Sequence, residues 1–84
     1  MKPEIHTPPN EAPITELYAV LSVDENGDGI CAVMVNGTSM PLVVSYPRLL
    51  PMLRQYAAGV AKQTNRQLKL VKFAAREDME TFEP

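Results

Sequence analysis

Asp24-Glu25-Asn26-Gly27-Asp28-Gly29 carries oxygen donors at alternate positions ahead of a glycine, which is how a helix-loop-helix calcium loop begins. In such a loop Asp24, Asn26 and Asp28 supply positions one, three and five, and Gly29 the sharp bend. Position twelve must give a bidentate carboxylate, and here it is Val35, which has no oxygen to offer. The flanking segments also read as strands. The stretch is therefore expected to be a tight reversal, built from the Asn, Asp and Gly that such turns use, and no tight calcium site is expected.

The other residues with chemical potential are sparse. His6 is the only histidine and falls in a proline-rich segment, where no rigid shell holds a catalytic pose. Cys31 is the only cysteine, so one chain can form neither an internal disulfide nor a thiolate metal cluster. Its apolar neighbours and the lack of an adjacent basic group are the pattern of a packed thiol rather than a nucleophile. The carboxylates gather in the first turn and at the C-terminal end, so no acid–base pair emerges, and there is no glycine-rich phosphate loop. No catalytic residue, metal or cofactor is expected, and the chain reads as a non-enzyme.

Between Lys62 and Arg76 the chain carries Lys62, Arg66, Lys69, Lys72 and Arg76 with no acid among them. One reading makes Arg66, Lys69, Lys72 and Arg76 phosphate contacts of a nucleic-acid-binding regulator. The other makes Lys69 and Lys72 guards of an exposed strand edge, with Glu77, Asp78, Glu80 and Glu83 close by to neutralise the run. Phe73 is the only aromatic residue near it, which is little for a base-stacking platform, and the guarded edge is preferred.

These residues must be positioned by a small scaffold. Eighty-four residues allow one domain, and a chain of that size buries roughly 60% of its unfolded surface, so self-association is a natural source of added stability. A hydrophobic content of 45% with 21% charged residues is ordinary for a globular protein, and a net charge of -2 favours no class of partner for the molecule as a whole. The N-terminus MKPEIHTPPNEAP has no apolar run or small-residue cleavage site, and no apolar span is long enough to cross a bilayer, so a cytoplasmic protein without membrane contact is expected.

Pro3, Pro8, Pro9 and Pro13 make residues 1–13 an extended, disordered tail in this reading, leaving 14–84 as a single α+β domain. ITELYAVLSV suits a strand buried on both faces. Asn36-Gly37 between GICAVMV and TSMPLVVS is a strong hairpin signal, because both central residues of a type I′ turn need positive φ. A two-residue turn pairs Val35 with Thr38, Met34 with Ser39, Val33 with Met40 and Ala32 with Pro41, and it places Pro41 where its missing N–H matters only if another strand pairs beyond it.

SYPRLLPMLRQYAAGVAKQTN carries Leu49, Leu53, Tyr56, Ala57, Val60, Ala61 and Thr64 at helical spacing, with Ser45 a candidate N-cap, an irregular start settling near Pro51, and Asn65 the terminator. QLKLVKF is the last strand. The expected plan is α+β: a three-stranded antiparallel meander followed by one helix and a fourth strand (βββαβ), the helix on one sheet face. The fourth strand lies parallel to the first, in order 3-2-1-4.

GICAVMVNGTSMPLV, the helix after it and the closing LKLVKFAARED together resemble a group of small proteins of proteobacterial genomes and their phages, over about residues 15 to 80. The resemblance implies no activity and carries over no site residue. It implies an accessory or phage-borne setting, in which a small domain acts by binding another macromolecule.

One helix covers one face of a sheet, yet the first three strands are apolar on both faces. The expected function is thus a non-enzymatic protein-interaction module, working through an apolar sheet face, an edge strand or a homodimer. Tyr18, Val20, Ile30, Met34 and Val43 are the candidates for the uncovered side, with the register between the first two strands left open and able to exchange the faces.

Overall fold

The computed structural model describes residues 13–84. The expected tail, with His6, lies outside these residues except for Pro13. The element order is β1 (Leu17–Asp24), β2 (Gly27–Ile30), β3 (Ala32–Val35), β4 (Thr38–Pro41), β5 (Val43–Val44), a 3-10 turn (Pro47–Leu49), α1 (Leu50–Thr64) and β6 (Leu68–Phe73). The class is α+β, with antiparallel strand pairs throughout and one helix among the described residues.

β1 is the centre. β6 pairs with it along one edge from Leu17↔Phe73 to Ser22↔Leu68. Along the other edge β2 pairs with Leu21–Asp24, and β5 pairs with Tyr18 and Ala19. Its side chains are apolar on both faces, and Tyr18, Ala19, Val20 and Leu21 are all buried.

The expected second and third strands are each broken, at Cys31 and Leu42, where the chain leaves the main sheet to form the β3–β4 hairpin. Three backbone hydrogen bonds close this fork. The Val20 N–H donates to the Leu42 carbonyl (3.0 Å), the Leu42 N–H to that of Cys31 (2.8 Å), and the Cys31 N–H to that of Val20 (3.0 Å). Each of the three residues thus uses both of its backbone groups. This allows the sheet to fork where Val20 and Leu42 are 0% and 1% exposed, a place where an orphaned amide would be heavily penalised.

Within the hairpin the register is Ala32↔Pro41, Val33↔Met40, Met34↔Ser39 and Val35↔Thr38, as the two-residue turn dictates, and Asn36 and Gly37 take φ of 51° and 80°. Only β3 pairs with β4, so the missing N–H of Pro41 is tolerated. The stretch from Asp24 to Gly27 is likewise a reversal: these two residues face each other, Gly27 takes φ 119°, and the Asn26 N–H donates to Asp24 Oδ1 at 2.8 Å.

Strand order and direction differ from the expected 3-2-1-4 plan. β6 does lie beside β1, but antiparallel to it. The reason is β5: the third strand swings back beyond Leu42 to pair with β1 in the antiparallel sense, so the crossover through α1 delivers β6 running the same way as β5, with β1 between them. The helix ends in the αL residue Asn65 (φ 54°, ψ 40°), as its sequence implies. Its start is irregular and settles next to Pro51, as expected, and only the cap differs. Ser45 is not the cap; Tyr46 precedes the 3-10 turn and no side chain caps either helical segment, while Pro51 falls in the first turn of α1, where no intrahelical N–H bond is lost.

α1 lays Leu53, 0% exposed, on Tyr18, Val20 and Leu42, with Leu50, Ala57, Val44 and Leu68 partly buried around them. Leu53 is the one buried residue of the helix. Leu53→Ala is therefore expected to lower stability by about 3 kcal/mol in urea unfolding, whereas Met52→Ala on the exposed side should cost below about 1 kcal/mol. Equal midpoints for the two variants would contradict this packing.

Candidate apolar sheet interface

Side chains alternate across a strand, and residues paired in register share a face. Tyr18, Val20 and Ser22 therefore share the helix-covered face with Leu68, Leu70, Lys72 and Val44. The opposite face carries Leu17, Ala19, Leu21 and Val23 of β1, flanked by Ile30 and Val43 on one side and by Lys69, Val71 and Phe73 on the other.

The alternation runs on through the fork. Cys31, Val33 and Met40 pack against the core, while Ile30, Ala32, Met34 and Pro41 turn away from it. The outer side of the hairpin thus extends the helix-free face. On this combined surface Met34 is 69% exposed, Ile30 64%, Phe73 51%, Leu17 42% and Val23 39%, around a centre where Ala19 and Leu21 are already buried among their neighbours and Val43 and Val71 are half-buried. At its end near the start of β1, Leu17, Phe73, Ile14 and Ala75 line a shallow pocket of about 260 Å³, and the Arg76 guanidinium at the rim reaches Asp78 (2.8 Å) and the Ile14 carbonyl (3.4 Å).

Of the residues expected on the uncovered side, Ile30, Met34 and Val43 lie there. Tyr18 and Val20 do not: they pack beneath α1. The cause is register. The short reversal after Asp24 pairs Leu21 with Ile30, which puts Ile30 on the face of Ala19 and Leu21 rather than that of Tyr18 and Val20. Leu17 and Val23 were missed for the same reason, and the signal that could have found them is the two-residue spacing between Asp24 and Gly27, which fixes the parity of β2 against β1; Phe73 takes its face from the separate β1–β6 pairing, which was expected to be parallel.

The basic run does not form one stripe. Lys69 faces the helix-free side and Lys72 the helix side. Arg66 meets Asp24 at 3.0 Å, Lys72 meets Glu16 at 3.4 Å and Arg76 meets Asp78 at 2.8 Å. Asp24 therefore has one oxygen on the turn amide and the other on Arg66. Cys31 is half-buried against the core, with both backbone groups committed to the fork. No helix among the described residues is long and apolar enough to cross a membrane.

With this geometry in view, comparison with known proteins adds no identification: no family model, curated protein or solved structure matches the chain.

On the helix side of β1, the Tyr18 hydroxyl donates to Glu16 Oε2 at 2.7 Å. That bond first, and then Lys72, holds the Glu16 carboxyl below the usual glutamate range, and the same bond to Glu16 raises the Tyr18 hydroxyl above its ordinary value. The signs follow from linkage. Glu16, depressed in the folded state, contributes stability that is present above its ordinary value and lost as pH falls through the folded one. Tyr18, raised, contributes stability that is present below its ordinary value and lost as pH rises through the folded one. The stability difference between the wild type and Glu16→Gln should accordingly be constant at neutral pH and shrink below pH 4.5 and above pH 10.0 in urea titrations. A difference independent of pH would contradict the linkage.

Proposed function

We propose that the protein is a non-enzymatic protein-interaction module and that its working surface is the helix-free sheet face extended by the β3–β4 hairpin. The observation that supports this most is the exposure of large apolar side chains on one connected surface, led by Met34, Ile30 and Phe73. Contiguous apolar surface of this kind is the ordinary mark of a protein partner site. The small core supports the same reading. Among the described residues only Tyr18, Ala19, Val20, Leu21, Leu42 and Leu53 are buried, which leaves the isolated domain with little to offset the entropy of ordering its chain. A partner that covers the open face supplies the missing burial. Such a role fits the accessory setting that the sequence resemblance implies.

The test is site-specific photocrosslinking in cells producing the full chain. A photoreactive residue in place of Ile30 or Phe73 is expected to yield protein adducts, and one in place of Arg54, exposed on α1, is expected to yield few or none. Adducts of equal yield at all three positions, or none at Ile30 and Phe73, would count against this surface as the site.

A further inference from the structure

We infer that the occupant of the helix-free face is a second copy of the chain, packed sheet against sheet about a two-fold axis that runs along β1. This rests on the interaction-module reading and names its partner. Three features of the face carry it.

The first is charge placement. Within the paired strands the face bears one acid and one base, on opposite lanes, Asp28 on β2 across from Val23 and Lys69 on β6 across from Leu21, while Arg76 at the far rim is already paired with Asp78. A two-fold axis along β1 lays the β2 lane of one copy over the β6 lane of the other. Lys69 then sits over Ile30 of the second copy, one same-face step from Asp28 of that copy, within reach of its flexible four-carbon stem. The symmetry makes this contact twice. An axis across the strands lays each lane over itself instead, and the β6 lane of Lys69, Val71 and Phe73 offers Lys69 no acid. Aligned packing of this kind is also how two sheets ordinarily stack.

The second is area. Leu17, Val23, Ile30, Met34 and Phe73 together expose on the order of 500 Å², to which the half-buried Val43 and Val71 add a smaller share, a surface in the range of the smaller specific interfaces.

The third is that the free edge of β6 suits a second copy poorly. β6 carries Lys69 on one face and Lys72 on the other, and lysines along an exposed edge strand guard it against pairing with another chain. The face, not the edge, is left for self-association.

Charge reversal tests the arrangement. Dimer dissociation constants are measured by sedimentation equilibrium on the full chain, with circular dichroism confirming the fold. Asp28 and Lys69 are both exposed, so Asp28→Lys and Lys69→Glu should fold; in the dimer each variant sets like charges together, and dimerisation should weaken about tenfold or more. The double variant Asp28→Lys/Lys69→Glu restores opposite signs across the two-fold axis and should return to within about threefold of the wild type. Within one chain the two residues are separated by β1, so rescue reports contact between copies. Should either single variant fail to fold, Ile30→Ser is the second probe and must also weaken the dimer. A wild type monomeric at hundreds of micromolar, single reversals without effect, or a double variant without rescue would each overturn the inference. Crosslinks from position 30 to an unrelated protein, or to residues 1–12 of the same chain, in a monomeric protein would do so as well. A monomer, reversals without effect or crosslinks to an unrelated protein leave the interaction-module reading standing on its own crosslinking test, whereas adducts confined to residues 1–12 of the same chain would remove it as well.

Discussion

Val20 is held through its N–H by Leu42 and through its carbonyl by Cys31, and these two residues are bonded to each other. This closed set of three backbone hydrogen bonds is the constraint from which the architecture follows. It lets one edge of β1 serve two short strands, β2 and β5, while the chain between them is expelled as a hairpin. It also fixes direction, because β5 returns antiparallel to β1 and obliges the crossover through α1 to bring β6 in on the far edge in the same sense. With every backbone group of the fork satisfied, the apolar side chains of Val20 and Leu42 can be fully buried at its centre, where Leu53 of the helix meets them.

The same constraint leaves one side of the sheet open. A single helix spans one face, and its inward stripe is narrow: Leu53 is buried and Leu50, Ala57, Val60 and Ala61 partly so. β1 is nonetheless apolar on the other side, where Ala19 lies between Val43 and Val71, and Leu21 between Ile30 and Lys69. Sheets with one solvated face normally alternate apolar and polar residues, and β1 does not. Lys69 acquires two roles on this account: it discourages pairing along the β6 edge, and it gives the open face a charge whose counterpart, Asp28, sits on the lane that a two-fold axis brings above it.

Parts of this were legible in the sequence because they are local. Asn36-Gly37 fixed the hairpin residue by residue from Val35↔Thr38 out to Ala32↔Pro41, and Asn65 ended the helix in the αL conformation its side chain tolerates. The excess of apolar surface over helix was also legible, since it needs only composition and element count. Which residues form the open face was not. Face assignment turns on parity, and parity between β1 and β2 turns on the length of one reversal; with that register left open, Tyr18 and Val20 were grouped with Ile30 when they belong to the other side. The fork at Cys31 and Leu42 was invisible for a different reason. It is a competition among three strands for the same backbone groups, and nothing in CAV or PLV marks which strand each amide will choose. Ser45 was displaced as a cap by the 3-10 turn at Pro47, which starts one residue too late for a Ser45 side chain to serve it.

A second copy of this chain over the helix-free face, as proposed, would shield the side chains that line it. Solvent paramagnetic relaxation of side-chain methyl protons, recorded on the full chain as a function of concentration, tests it directly. Leu17, Ile30, Val43 and Val71 should be shielded from the dissolved agent at high concentration and become accessible on dilution, while Met79, 87% exposed, stays accessible throughout. Methyl groups of Leu17 and Ile30 that relax as freely as Met79 at every concentration would contradict it.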